Sequence, residues 1–153
     1  MVAFAGGDLT SELASTQRAE AAPSRVSASH VTTLVQPGDV LVSSHNGVYL
    51  STRDGDSRLI YSARAYDTLQ LPSGDMFVSE RYRNRVVRLN AEGQTLYELE
   101  AQGPVDCELA ADGTLVVVQN GSGEVVGMDA ESGEVRWRLG GFSNHYDVSL
   151  TPG

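Results

Sequence analysis

From His30 onward, short apolar stretches alternate with turns that contain glycine. In the clearest unit these stretches run over residues 105–110, 114–119, 124–129 and 134–139. Each stretch is too short for an ordinary helix and is bounded by turn residues, which is the pattern of β-strands joined as hairpins. The pattern therefore predicts four short antiparallel strands in this unit.

The strands of this unit differ in how their apolar positions are arranged. The second strand reads "LVVV" at residues 115–118, so it is apolar on both faces and is expected to be covered on both. In the fourth strand, Val135, Trp137 and Leu139 alternate with charged side chains. Such alternation is typical of a strand with one face shielded from water.

An aspartate recurs near the start of one strand in successive units. Asp67, Asp106 and Asp147 follow one another at spacings of 39 and 41 residues. Glycines recur at the first and third turns, at Gly38, Gly74, Gly113, Gly55, Gly93 and Gly133. A repeating four-stranded unit of about 40 residues is the pattern of β-propeller blades.

The repeat predicts an all-β chain, a β-propeller fragment of about three four-stranded antiparallel blades plus the first strand of a fourth. The blades are expected at residues 30–65, 66–104 and 105–144, and the next one begins within 145–153. Residues 1–28, rich in Ala, Ser and Thr, are expected to form a flexible leader or tether. A β-sandwich is the main rival fold, although it requires no aspartate and glycine at a fixed period.

Propellers usually close their ring with about four to eight blades. The chain is therefore expected to be a fragment of a longer propeller or a truncated gene product. Open blade edges expose unpaired backbone groups, so self-association of the isolated chain is expected. Assembly of two chains into one ring is the less favoured alternative.

The charge balance limits the classes of partner that the chain is expected to bind. Twenty acidic residues face eleven basic ones, all of them arginine, for a formal net charge of −9. This excess of carboxylates repels phosphate backbones and argues against nucleic acid binding. It favours a halophilic protein, the alternative being an ordinary acidic protein from a GC-rich genome. No apolar run reaches the roughly 20 residues of a membrane-spanning helix, so no membrane anchor is expected in this chain.

The repeat breaks at "RYRNR", which places Arg81, Arg83 and Arg85 in one loop. Guanidinium groups match sulfate, phosphate and carboxylate in a bidentate manner, so this loop is a candidate site for a small anion. His45 belongs to the matching loop of the first unit and is expected on the same face. The alternative is an exposed loop whose arginines pair with local acids such as Glu80.

The other candidate site residues are expected to have structural roles. The recurring Asp67, Asp106 and Asp147 are expected to accept backbone N–H bonds, the alternative being a ring of carboxylates that holds a cation. Trp137 is expected to pack between blades, and ligand stacking is its alternative. Cys107 lies between two acidic residues, so a buried thiol is favoured over a nucleophile. No metal-ligand spacing or cofactor-binding motif is present, so no metal and no cofactor are predicted.

Longer stretches carry a family resemblance. Tyr66-Asp67 leads into "LPSGDMFVSE" and "NRVVRLNAEGQTLYEL", and "GEVRWRL" and "NHYDVSLTPG" follow the same order in the next unit. This pattern, over residues 30–153, resembles the repeat of arylsulfotransferase-like propellers common in halophilic archaea. Pyrroloquinoline-quinone-type (PQQ-like) and NHL-type propellers share much of it.

The resemblance implies sulfuryl transfer between phenols through a transiently sulfated histidine, and an extracytoplasmic or cell-surface location. Family members carry a His-Asp pair, and the nearest matches here are His145, just before Tyr146-Asp147, and His30. We expect a propeller module that binds a protein or a small anionic or aryl ligand. The alternative is an aryl sulfotransferase whose site is completed by further blades. A quinone-dependent dehydrogenase is less favoured, because the chain has one Trp and no cluster of calcium ligands.

Overall fold

The computed structural model describes residues 38–151, which lie in a compact unit that spans Val31–Gly153. These residues form three antiparallel sheets, here numbered 1 to 3 in chain order. Sheet 1 contains β1 (Val40–Ser44), β2 (Gly47–Ser51) and β3 (Ser57–Tyr61). Sheet 2 contains β4 (Asp67–Gln70), β5 (Met76–Glu80), β6 (Arg85–Leu89) and β7 (Thr95–Glu100). Sheet 3 contains β8 (Pro104–Leu109), β9 (Thr114–Gln119), β10 (Glu124–Asp129) and β11 (Val135–Gly140).

In each sheet the strands are neighbours in chain order, joined by hairpins. The predicted all-β blades are confirmed, and the predicted strands of sheet 3 agree with the observed ones to within one residue at either end. The leader at 1–28, His30 and the first strand expected for the first blade lie outside the described residues. Within residues 38–151 the only helical element is a 3-10 turn, Arg81–Arg83, and no helix there is long and apolar enough to cross a membrane.

The recurring glycines close the first turn of sheets 2 and 3. Gly74 has a φ of 91° and Gly113 a φ of 80°, a backbone conformation that residues with a Cβ atom rarely adopt. In both turns the glycine N–H donates to the carbonyl three residues earlier, at 2.9 Å to Leu71 and 3.0 Å to Ala110. The same local chemistry therefore produces the same hairpin in successive units.

Apolar side chains fill the two spaces between the sheets. Sheets 1 and 2 meet through Val48, Met76, Val78, Val87 and Leu89, all fully buried. Sheets 2 and 3 meet through Phe77, Val86, Leu99, Leu115, Val117, Val126 and Met128. The β9 strand is buried at every position, as its "LVVV" run predicted.

Each sheet thus has two faces that can be named by direction. We call the face toward the next sheet in the chain the forward face and the opposite one the backward face. On sheet 2 the forward face carries Phe77, Val86 and Leu99, and the backward face carries Met76 and Val78. The residues of sheets 1 and 3 at matching positions of the repeat are assigned to the same two faces.

Residues 145–151 follow sheet 3 without forming a β-ladder among the described residues. The Val148 N–H nevertheless donates to the Asp106 carboxylate at 2.7 Å. One unit earlier, the Cys107 N–H donates to the Asp67 carboxylate at 3.2 Å. This segment therefore lies where the inner strand of a following blade begins. Pro152 and Gly153 are outside the described residues.

Candidate functional site

One end of the three sheets gathers the residues that break the repeat. In an antiparallel order, the loop after the second strand and the connection to the next sheet lie at the same end. Here this end consists of residues 45–46, 62–66, 81–84, 101–103 and 120–123. We call it the connection end.

Two arginines and two tyrosines of the connection end form an Arg–Tyr cluster, made of Arg64, Tyr66, Arg81 and Tyr82. The two rings are 5.7 Å apart and tilted by 60°, and the Tyr66 hydroxyl donates to that of Tyr82 at 3.0 Å. The Arg64 guanidinium lies 4.1 Å from the Tyr82 ring centroid, and that of Arg81 lies 5.4 Å from the Tyr66 centroid. Both distances suit cation–π attraction.

Local backbone geometry holds this cluster in place. Arg81 and Tyr82 belong to the 3-10 turn, which Asn84 closes with a left-handed φ of 53° and an N–H bond to the Arg81 carbonyl. The Arg81 guanidinium donates to the Asn120 side chain at 3.0 Å, which ties it to sheet 3. The Tyr66 N–H donates to the Ser79 carbonyl at 2.9 Å. The side chains of sheets 2 and 3 are thus preorganised at this end.

The cluster is electrostatically positive in an acidic chain. Among residues 38–151, neither Arg64 nor Arg81 forms an ion pair with a carboxylate. The pKa of Tyr66 is lowered, first because the Tyr82 hydroxyl can donate to the phenolate and then because of Arg81 and Arg64. The Tyr82 side chain is 61% exposed, so a ligand in solvent can reach it.

The other arginines of "RYRNR" are occupied by acids. Glu80 is only 1% exposed, and its carboxylate lies 2.5 Å from the Arg85 Nε and 3.4 Å from Arg83. Arg85 also pairs with Glu98 at 2.5 Å, and the Tyr61 hydroxyl donates to Glu80 at 2.7 Å. Burial and then Glu80 raise the pKa of Tyr61 to about 12. The structure thus separates Arg81 from Arg83 and Arg85, whose charges are balanced locally.

His45 lies beside the cluster, as expected from the matching loops. Together with Ser43, Ser44, Ala65 and Tyr66 it lines a shallow depression of about 290 Å³. The side chain is exposed at the connection end. It is therefore available to a ligand that binds at Tyr66.

His145 is held in a different way. Its Nε2 lies 3.2 Å from the Glu124 carbonyl, and its ring packs 5.5 Å from that of Phe142. Its Nδ1 is buried, with no hydrogen-bond partner among the described residues. The Nε2 position fits an N–H donor to the carbonyl, which leaves no nitrogen open to a ligand. His30, the other candidate, lies outside the described residues.

The recurring aspartates join successive sheets. Asp67 accepts from Cys107 and Asp106 from Val148, while Asp147 is exposed in the final segment. Burial raises the pKa of Asp67, and burial followed by the charges of Asp67 and Asp147 raises the pKa of Asp106 to about 6. Within residues 38–151 no group of three His, Cys, Asp or Glu is placed to hold a metal ion.

Cys107 is a buried residue, whereas Trp137 lies partly exposed on the forward face of sheet 3. Cys107 is buried, and burial followed by the Asp67 charge raises the pKa of its thiol well above the ordinary value. The Trp137 ring lies against Gly127, where an added Cβ would clash with it. Together with Leu150, Trp137 lines a groove of about 610 Å³ on the forward face of sheet 3.

Arg64, Tyr66 and Tyr82 complete a cluster that sequence reasoning recognised only through Arg81. A signal for Arg64 is present in the repeat, because the matching positions are Gly103 and Asn144. Both of these have a left-handed φ, of 61° and 56°. An arginine at a position otherwise reserved for left-handed backbone is a break in the pattern, like the one in "RYRNR".

Comparison with family models gives one match. The model described as outer membrane protein assembly factor BamB, of the PQQ-like repeat type, matches residues 82–144. No curated protein sequence matches the chain significantly. The similarity to this PQQ-like repeat model thus covers the second half of sheet 2 and all of sheet 3.

Solved structures show a likeness over a larger share of the chain. A streptogramin B lyase is 17% identical with a TM-score of 0.58, and the alignment covers 72% of this chain and 40% of that one. The WD40 β-propeller domain of Doa1 is 14% identical with a TM-score of 0.56, covering 70% and 38%. BamB from Moraxella catarrhalis is 17% identical with a TM-score of 0.50, covering 69% and 34%. The chain therefore spans about two fifths or less of these structures, and at such identities the likeness shows a β-propeller fold.

Proposed function

We propose that this chain is a β-propeller binding module that holds a small aromatic anion at the Arg–Tyr cluster. The observation that carries the proposal is the pair of guanidinium groups, Arg64 and Arg81, which lie against tyrosine rings with no carboxylate partner among residues 38–151. In a chain of net charge −9, such a position is where an external anion would be held.

The anionic part of the ligand follows from the chemistry of arginine. A planar guanidinium forms two parallel hydrogen bonds to sulfate, carboxylate or phosphate, and such charge-assisted bonds are the strong ones. Arg81 is already oriented by Asn120, so part of its ordering cost is met before the ligand binds. The ligand would supply the negative charge that Glu80 supplies to Arg85.

The aromatic part follows from the tyrosines. Tyr66 and Tyr82 present tilted rings at an exposed end, an arrangement that suits edge-to-face contact with a third ring. An aryl sulfate or aryl carboxylate combines both requirements in one small molecule. His45, at the border of the cluster, adds a hydrogen-bonding group beside Tyr66.

Binding is favoured over sulfuryl transfer through His145 for a geometric reason. Transfer through histidine needs a ring nitrogen that is open to the sulfate. At His145 the Nε2 faces a carbonyl and the Nδ1 is buried, so this residue supports no such step in the observed arrangement.

Calorimetric titration with phenyl sulfate, inorganic sulfate and benzyl alcohol tests this function. Arg64→Gln and Arg81→Gln are each expected to weaken phenyl sulfate binding by about tenfold or more, because a hydrogen bond to a charged group contributes about 1.5–3 kcal/mol. Arg58→Gln, which removes an exposed arginine from sheet 1, is the matched control and should leave the affinity unchanged.

The aromatic requirement is tested separately. Tyr82→Ala should weaken phenyl sulfate binding and leave any binding of inorganic sulfate unaffected. Absence of phenyl sulfate binding by the unmodified chain would contradict the proposal. An equal loss in Arg58→Gln would show that only the overall charge matters, and would also contradict it.

A further inference from the structure

The forward face of sheet 3 is uncovered where the same face of sheet 2 is buried. Leu99 on sheet 2 is 5% exposed, whereas Leu139 at the matching position of sheet 3 is 55% exposed. Tyr97 on sheet 2 donates to the Ala130 carbonyl of sheet 3 at 2.6 Å, whereas the matching Trp137 is 39% exposed. The forward face of sheet 3 thus carries the residues that contact another sheet one unit earlier.

The backward face of sheet 1 shows the complementary feature. Val40 and Val42 of β1 are 56% and 43% exposed. The matching pairs are Met76 and Val78 in sheet 2 and Leu115 and Val117 in sheet 3, all of which are fully buried against the preceding sheet. Val40 and Val42 are therefore apolar side chains at positions that are covered in both other units.

We infer that a second copy of this chain docks the backward face of its sheet 1 on the forward face of sheet 3. The two sheet–sheet contacts inside the chain serve as the template, because each joins a forward face to a backward face at the same repeat positions. This inference concerns residues outside the Arg–Tyr cluster and does not depend on the proposed ligand.

Residues 145–151 fit this arrangement. Held by the Asp106 carboxylate through Val148, they lie at the inner-strand position next to the exposed forward face. Leu150 of this segment lines the same groove as Trp137 on the forward face of sheet 3. The segment therefore adds apolar area to the face on which the second copy docks.

The contact joins two different faces, so it propagates until a ring closes. Two copies with three described sheets each bring six sheets together, within the range of about four to eight found in propellers. Both copies then use both faces, and the assembly stops at a dimer.

Two variants and their mixture test this arrangement. Leu139→Glu places a charge on the forward face, and Val42→Glu places one on the backward face. Each change should raise the dimer dissociation constant by about a hundredfold, because a carboxylate would be buried without a partner. An equimolar mixture of the two variants should recover a dimer, since one intact forward face can meet one intact backward face.

Analytical ultracentrifugation of the 153-residue chain gives the readout. Leu96→Glu, at an exposed leucine away from both faces, is the control and should remain dimeric. Circular dichroism checks the fold, and Val40→Glu replaces Val42→Glu if that variant melts early. A monomeric unmodified chain, open-ended oligomers, or a dimeric Val42→Glu chain beside a monomeric Leu139→Glu chain would overturn the inference.

Discussion

At the scale of single residues, the aspartate links are the feature with the clearest pH signature. Asp106 accepts the Val148 N–H and faces two other carboxylates, Asp67 and Asp147. Its pKa is raised to about 6, chiefly because the group is partly buried, from an ordinary value of 3.8. A raised carboxyl pKa means that the folded chain binds this proton more tightly than the unfolded chain does.

The Asp106 contribution to stability is therefore fully present below about pH 4 and is lost as the pH rises through about 6. Asp106→Asn keeps an acceptor for Val148 and removes the charge. We expect it to raise the free energy of unfolding at neutral pH by about 1 kcal/mol, allowing for solvent screening, and to flatten the pH dependence between about 4 and 6. Thermal unfolding across this pH range is the measurement.

Asp112→Asn is the matched control, because the pKa of that exposed carboxyl is lowered by its hydrogen bonds to Thr114. This change should give no gain in stability at neutral pH. A pH profile unchanged by Asp106→Asn would contradict the role assigned to the link.

Residue-level chemistry was only partly predictable from the sequence. The anion-site prediction grouped Arg81, Arg83 and Arg85 because they are adjacent, but adjacency says nothing about which charge is compensated. The Glu80 side chain is buried and forms ion pairs with Arg83 and Arg85. The backbone directs Arg81 toward sheet 3, where it donates to Asn120. Arg64 is distant from Arg81 in the sequence, and only the arrangement of the strands brings the two side chains together.

At the scale of strands, periodicity and turn residues were sufficient to predict the elements. Glycines with positive φ fix the hairpins, and β9 was recognisable because no polar face interrupts it. The alternation in β11 correctly separated Trp137 and Leu139 from the charged positions. It could not tell that this apolar face would be exposed, since exposure depends on what lies across from it.

The buried carboxylate at the end of β5 provides a test at this scale. Glu80→Gln leaves Arg85 without its buried partner, so we expect a loss of about 3–5 kcal/mol in the free energy of unfolding. Glu98→Gln removes the other partner of the same Arg85, but Glu98 is half exposed, and the expected loss is about 1 kcal/mol or less.

Chemical denaturation of both variants gives the comparison directly. The two changes are chemically identical and share Arg85, but Glu80 is buried and also contacts Tyr61 and Arg83, whereas Glu98 is half exposed. Equal losses would show that burial of Glu80 does not determine the strength of this network.

At the scale of the whole molecule, the chain has twenty acidic residues and eleven arginines. Repulsion among the excess carboxylates destabilises the compact folded state. Salt screens this repulsion, so we expect the melting temperature to rise substantially between about 0.1 and 2 M potassium chloride. The exposed ion pairs, such as Arg138 with Glu124, weaken over the same range and oppose the rise only slightly.

Differential scanning calorimetry at several salt concentrations checks this expectation. Sucrose serves as the control, because it stabilises compact states without screening charge. A melting temperature that does not change with the potassium chloride concentration would contradict the halophilic interpretation of the composition.

The aspartate links also bear on how such a chain changes over generations. The carboxylate of one unit meets the backbone N–H of the next, and the same acceptor and donor recur one unit later. A duplicated or deleted unit that carries this aspartate would therefore join its new neighbour through an identical link. Recombination between such units can thus alter their number and keep these links unchanged, whereas the first unit, with Val31 at the matching position, lacks this carboxylate.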